Sequence, residues 1–107
     1  MEKDKLQKMQ IFQENLQSIL MQKQAFQMEM DETLSAIREV ESSKDDVYKL
    51  VGQLMIKIKK EKITEELEEK RKVIHSSLEK LEADEEKISS ELKKIRDEII
   101  KESKNRN

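Results

Sequence analysis

The 107-residue chain has no cysteine, no proline and no tryptophan, one glycine, and only Phe12, Phe26 and Tyr48 as aromatic residues. Each absence closes a class. Without a thiol there is neither a disulfide scaffold nor a cysteine-based zinc site. A single glycine cannot build a phosphate-cradling loop. Apolar residues make up 35% of the chain, below the roughly 45–50% of an ordinary globular domain, so a conventional core is not expected. No apolar run approaches the roughly 18 residues of a membrane span. The first residues alternate charged and apolar side chains, unlike a secretory signal. A cytoplasmic location is therefore the expectation. Charge of one sign is missing as well: residues 1–53 carry 7 basic and 10 acidic side chains, and residues 54–107 carry 15 and 14. Neither half is a polycation that would attract nucleic acid.

What is present is charge of both signs, 43% of all residues, cancelling to a net −2. Disordered chains tend to combine high charge with proline, glycine and a large net charge. Here the helix breakers are missing, which favours long helices packed narrowly against one another.

The chain reads as three segments within one domain, residues 1–107. Residues 1–42 carry a heptad pattern. Met9, Leu16, Lys23, Met30 and Ile37 fall at a; Phe12, Ile19, Phe26, Thr33 and Val40 fall at d. Eight of these ten are apolar, a stripe that only another helix can bury. Glutamine, a good helix former, fills much of the outer face (Gln7, Gln10, Gln13, Gln17, Gln22, Gln24, Gln27). Residues 64–107 repeat the pattern, with Leu67, Ile74, Leu81, Ile88 and Ile95 at d and Arg71, Leu78, Glu85, Leu92 and Ile99 at a. Thr64 followed by Glu65 and Glu66 reads as an N-cap with acids in the first turn. Glu66/Lys70, Glu68/Lys72 and Asp97/Lys101 have the spacing of helical ion pairs.

Residues 43–63 follow a different pattern. Leu54, Ile56 and Ile58 alternate with Met55, Lys57 and Lys59, the period of a half-buried strand. Val47–Val51 forms a second short strand, and Gly52-Gln53 falls at the tight turn between them. The fold class is mainly α: an antiparallel coiled-coil hairpin of two arms, each about 60 Å long, with a β-hairpin between them.

A lone two-stranded hairpin is marginal in water. Val47, Tyr48, Leu50, Val51, Gly52, Leu54, Ile56 and Ile58 therefore read as an oligomerisation element. Hairpins from several chains would close a shared β-barrel and remove the edges. Folding the chain about its midpoint brings Lys23 and Glu85 into the same or neighbouring layers. They are expected to pair and help fix register; the alternative is that each reaches water separately.

At the free end of the hairpin lie Leu6, Met9, Ile11 and Phe12 from one arm and Ile95, Ile99 and Ile100 from the other. Ile11 and Ile100 fall off the a/d stripe, so seam packing does not account for them. Partial splaying there would offer a soft apolar patch to a non-native polypeptide. For Met9, Phe12, Ile95 and Ile99 the simpler reading is coiled-coil core. His75 beside Ser76 and Ser77 lacks a pocket that would orient a base and nucleophile. No enzymatic activity, metal or cofactor is expected. Lys57, Lys59, Lys60 and Lys62 read as edge-strand protection against wrong pairing or as a surface for an acidic partner.

The residues Gln22-Lys23-Gln24, Val47-Tyr48-Lys49-Leu50-Val51-Gly52, Leu54-Met55-Ile56-Lys57 and Thr64-Glu65-Glu66-Leu67 together resemble prefoldin subunits of the archaeal β class. The resemblance covers nearly the whole chain. About 20 residues between the arms leave room for one hairpin, as in the β class, whereas the α class carries two. What the resemblance implies is a hexamer of two α and four β subunits. Such a complex is an ATP-independent holdase that binds unfolded clients at the coiled-coil tips and delivers them to a group II chaperonin. The rival reading is a structural coiled-coil scaffold without clients.

Overall fold

The computed structural model describes residues 2–105, with the backbone alone at Glu2. The element order is α1 (Glu2–Ser42), β1 (Val47–Val51), β2 (Leu54–Ile58) and α2 (Lys60–Asn105). These group into two compact units: residues up to Ala25 with those from Leu78 onward, and Phe26–Ser77.

Neither helix contains proline or glycine, so nothing interrupts the backbone ladder. In the first unit Ile19, Leu78, Leu81, Leu92 and Ile95 are buried. In the second, Ile37, Ile74 and Thr33 are buried. All eight stand at a or d of the heptad frame, as the stripe predicted. Thr33 is 2% exposed, and its hydroxyl donates to the Glu29 carbonyl at 2.7 Å, which removes the cost of burying it. In the first unit Lys23 Nζ lies 3.2 Å from Glu85 Oε1, and Lys5 Nζ lies 3.5 Å from Glu98 Oε2. Later residues of α2 thus face earlier residues of α1, the antiparallel arrangement. The Lys23–Glu85 pairing expected across the seam is present.

α1 ends without a basic residue in its last turn and without a C-terminal glycine. Its free carbonyls are satisfied from outside. Lys60 Nζ donates to the carbonyls of Glu41 at 3.1 Å and Ser43 at 3.0 Å, and Ser43 N–H donates to Val40 O. The first side chain of α2 therefore caps the end of α1.

The hairpin is antiparallel, pairing Val47 with Ile58, Lys49 with Ile56 and Val51 with Leu54. Gly52, at φ +62°, is the first residue of the two-residue loop. A positive φ at that position alone fits a type II′ turn. Nothing lies within 4 Å of a Cβ built there, so backbone conformation rather than crowding selects glycine.

One expectation is corrected at the start of α2. Thr64 does not cap the helix; it sits inside it. The Lys59 carbonyl accepts from Lys62 N–H at 3.0 Å and Ile63 N–H at 3.1 Å, so winding begins at Lys60. Thr64 Oγ1 donates back to the Lys60 carbonyl at 2.8 Å. Residues 60–63 contain no breaker, and once β2 ends at Ile58 the helix extends to meet it. Two expected ion pairs also take other partners: Glu66 reaches Lys49 of β1 at 3.0 Å, and Glu68 reaches Arg71 at 2.7 Å.

Candidate functional site

Two surfaces carry most of the exposed apolar side chains; Leu20, Met21, Met28 and Val73 are exposed elsewhere on the helices. One is the end of the first unit that holds residues 2–12 and 95–105. The heptad stripes of both helices end there, flanked by apolar residues that lie off the stripe. Ile95 is buried, Met9, Phe12 and Ile99 are half-buried, and Leu6, Ile11 and Ile100 are exposed, each by about half its surface. The structure brings all seven expected tip residues to one end of one unit. It divides them into a covered column (Met9, Phe12, Ile95, Ile99) and an open collar (Leu6, Ile11, Ile100).

Sequence reasoning missed what closes that column. Continuing the heptad one step beyond Phe12 and Ile95 places Lys5 and Glu102 at d on their helices. Lys5 forms an ion pair with Glu102 and lies 3.5 Å from Glu98. The hydrogen bond to Glu102 holds the Lys5 ammonium above the usual lysine range. The negative charges of Glu102 and Glu98 act in the same direction. A search for apolar side chains alone passes over a d position occupied by charge, although the seven-residue spacing would have found it.

The second surface is the β-hairpin of the other unit. Tyr48, Leu50, Val51, Gly52, Leu54 and Ile56 are exposed, and only Val47 and Ile58, at the base, are half-buried. The pairing puts Val47, Val51, Leu54, Ile56 and Ile58 on one face with Lys49, and Tyr48, Leu50 and Met55 on the other with Lys57. Both faces are therefore apolar, and beyond that base both are exposed. Met55, 71% exposed, was read as the solvated side of an alternating strand, yet it belongs to this second apolar face.

The basic cluster beside the hairpin is already partly engaged. Lys57 lies 3.2 Å from Asp46, and Lys60 is occupied by the end of α1. His75 is exposed on α2 and borders a cleft with Met30, Leu34, Arg71, Lys72 and Ser76. Among the described residues no group of three or more His, Asp or Glu could hold a metal ion. No described helix is long and apolar enough to cross a membrane.

A pair of long heptad helices joined by a largely exposed β-hairpin defines an interaction protein with coiled-coil arms. The profile of the prefoldin subunit family matches residues 3–106. Prefoldin subunit beta of Thermococcus kodakarensis is 38% identical over 88% of this chain and 82% of its own length. Prefoldin subunit beta of Pyrococcus abyssi is 36% identical over the same shares. The crystal structure of the prefoldin beta subunit from Thermococcus strain KS-1 superposes with a TM-score of 0.86 at 35% identity, covering 92% of this chain and 88% of that one. The beta2 subunit from that strain gives 0.71 at 30% identity, with 80% and 94% covered. The chain belongs to the prefoldin chaperone family, among its beta subunits.

Proposed function

We propose that this chain acts as a beta-type subunit of a cytoplasmic hexamer of two α and four β subunits. In this reading the hexamer holds unfolded proteins without ATP and delivers them to a group II chaperonin. The hairpins of the six chains close a shared barrel. Each open edge pairs with a neighbour, and the two apolar faces are covered by the barrel interior and by packing outside it. The coiled-coil ends remain free and present Leu6, Met9, Ile11, Phe12, Ile95, Ile99 and Ile100 to clients. The activity is binding, and no residue is assigned a catalytic role.

One observation carries the client-binding reading. Leu6, Ile11 and Ile100 stand about half-exposed around the end of the seam, and seam packing gives no reason for them to be apolar. An exposed apolar patch of this kind binds non-native chains through unspecific burial.

The deciding experiment assembles the complex with an α-type subunit and measures light scattering from a denatured client without ATP. The intact complex suppresses aggregation. A complex in which this chain lacks residues 1–12 and 95–107 assembles but loses suppression. Full suppression after that truncation rules out the tips as the client site. Assembly without suppression by the intact complex leaves a scaffold.

A further inference from the structure

The outermost described layer of the seam is charged, although the two layers behind it are apolar. In the heptad frame Met9 faces Ile99 and Phe12 faces Ile95. At the next d layer, where an apolar pair would seal the column, Lys5 stands between Glu98 and Glu102. An apolar layer closes by burial and resists water. An ion pair between partly exposed side chains closes weakly and remains hydrated. It is also screened over a Debye length of about 8 Å at physiological salt. Lys5 bridges both carboxylates, and its raised pKa agrees with that geometry. The collar residues Leu6 and Ile100 flank the layer and are already exposed, so parting the helix ends here uncovers a continuous apolar surface.

We propose that Lys5, seated between Glu98 and Glu102, is a latch. It sets how far the terminal turns of α1 and α2 part, and so how much of Met9, Phe12, Ile95 and Ile99 a non-native polypeptide can reach. This inference rests on the reading that clients bind at the tips. With the latch closed, only the collar is offered. With it open, the column behind is offered too. Because a half-exposed ion pair holds it, the arriving apolar segment can open it at little cost.

The chain has no native cysteine, so spin labels at Lys3→Cys and Lys104→Cys report the separation of the helix ends directly. In the assembled complex, Lys5→Glu gathers three carboxylates in one layer. The distance distribution is expected to widen, and the dose giving half-suppression of client aggregation to fall about two- to fivefold, the range a surface ion pair can shift. Adding Glu98→Lys and Glu102→Lys reverses the charges and restores both readouts to the wild-type values. An unchanged distance distribution overturns the latch. So does a widened distribution with no gain in suppression, or a swap that fails to restore both. Should Lys5→Glu fail to assemble, Lys5→Gln gives the same test with a smaller widening. If the truncated complex described above keeps full suppression, the tip reading fails. If truncation abolishes suppression while Lys5→Glu changes nothing, the latch alone fails.

Discussion

The heptad seam and the β-hairpin contain similar proportions of apolar residues, yet one buries them and the other does not. Ile74 and Leu78 in the seam are 3% and 7% exposed, whereas Leu54 and Ile56 in the hairpin are 67% and 48% exposed. The difference is geometric. A helix concentrates its apolar positions on one stripe, and the chain supplies a second stripe running the other way to cover it. A two-stranded ribbon displays apolar side chains on both faces, and beyond the half-buried base at Val47 and Ile58 they stay exposed. Apolar content thus builds a core only where the same chain returns to close it.

Matched substitutions in the two regions test that contrast, and they carry the largest expected effect. Ile74→Ala should destabilise the free chain by about 2–4 kcal/mol, the cost of removing a well-buried branched side chain. Ile56→Ala should change it by less than about 0.5 kcal/mol, as an exposed substitution does, while weakening assembly with other subunits. Urea unfolding of the free chain and sedimentation of the assembled mixture read these separately. A large loss from Ile56→Ala in a monomeric chain would show that the hairpin is stabilised internally after all.

The turn of the hairpin gives the next effect. Gly52→Ala places a Cβ at φ +62°, where the space is open but the backbone is unfavourable. The expected cost is about 1 kcal/mol or somewhat more. It should appear mainly as weaker assembly, because the hairpin contributes little to the stability of the isolated chain.

These expectations also mark how much could be read from the sequence. The buried residues Ile19, Thr33, Ile37, Ile74, Leu78, Leu81, Leu92 and Ile95 all stood in the heptad frame, because helical periodicity persists over many turns and tolerates Thr33 as readily as Ile37. The start of α2 was misplaced. Thr64 and the acids after it have the chemistry of a cap, but capping adds only about 1 kcal/mol, and four uninterrupted residues of helix before it outweigh that. The second apolar face of the hairpin was hidden because Lys57 and Lys59 next to Ile56 and Ile58 suggest one solvated side. Leu50 and Met55, facing each other across the strands, become legible as a pair only once the register is known. At the tips the apolar residues could be read, but the charged layer beyond them could not, since a lysine at d looks like the end of a heptad rather than its last layer.

Within the seam, Lys23 and Glu85 offer a smaller contrast with their apolar neighbours. Both remain partly exposed, at 22% and 36%, so their attraction is moderated by water. A double-mutant cycle with Lys23→Met and Glu85→Met should give a coupling of about 0.5 kcal/mol. The double variant should be as stable as the parent or more so, because two apolar side chains fill the layer. The larger consequence concerns register. Without the pair, a heptad slip of one helix against the other meets one polar mismatch fewer, and label distances across the seam should broaden. Coupling no larger than experimental error would mean that each charge reaches water on its own.

The smallest expected effect separates the two charged layers by pH. Lys5 is held above the ordinary lysine range by Glu102 and Glu98, so the folded chain keeps that proton more tightly than the unfolded chain does. The sign follows from linkage: a raised folded pKa adds stability that is fully present below the unfolded value and is lost as pH rises through the folded one. The difference in Tm between the parent and Lys5→Met should therefore be flat from neutral pH up to the ordinary lysine value, and should change only above it as the Lys5 contribution disappears. Other lysines titrate in the same alkaline interval, but they are common to both proteins and cancel in the difference. A difference that already changes between pH 7 and 9 would mean that Lys5 does not hold its proton through Glu98 and Glu102. The charged layer would then be no more than a pair of surface side chains near each other.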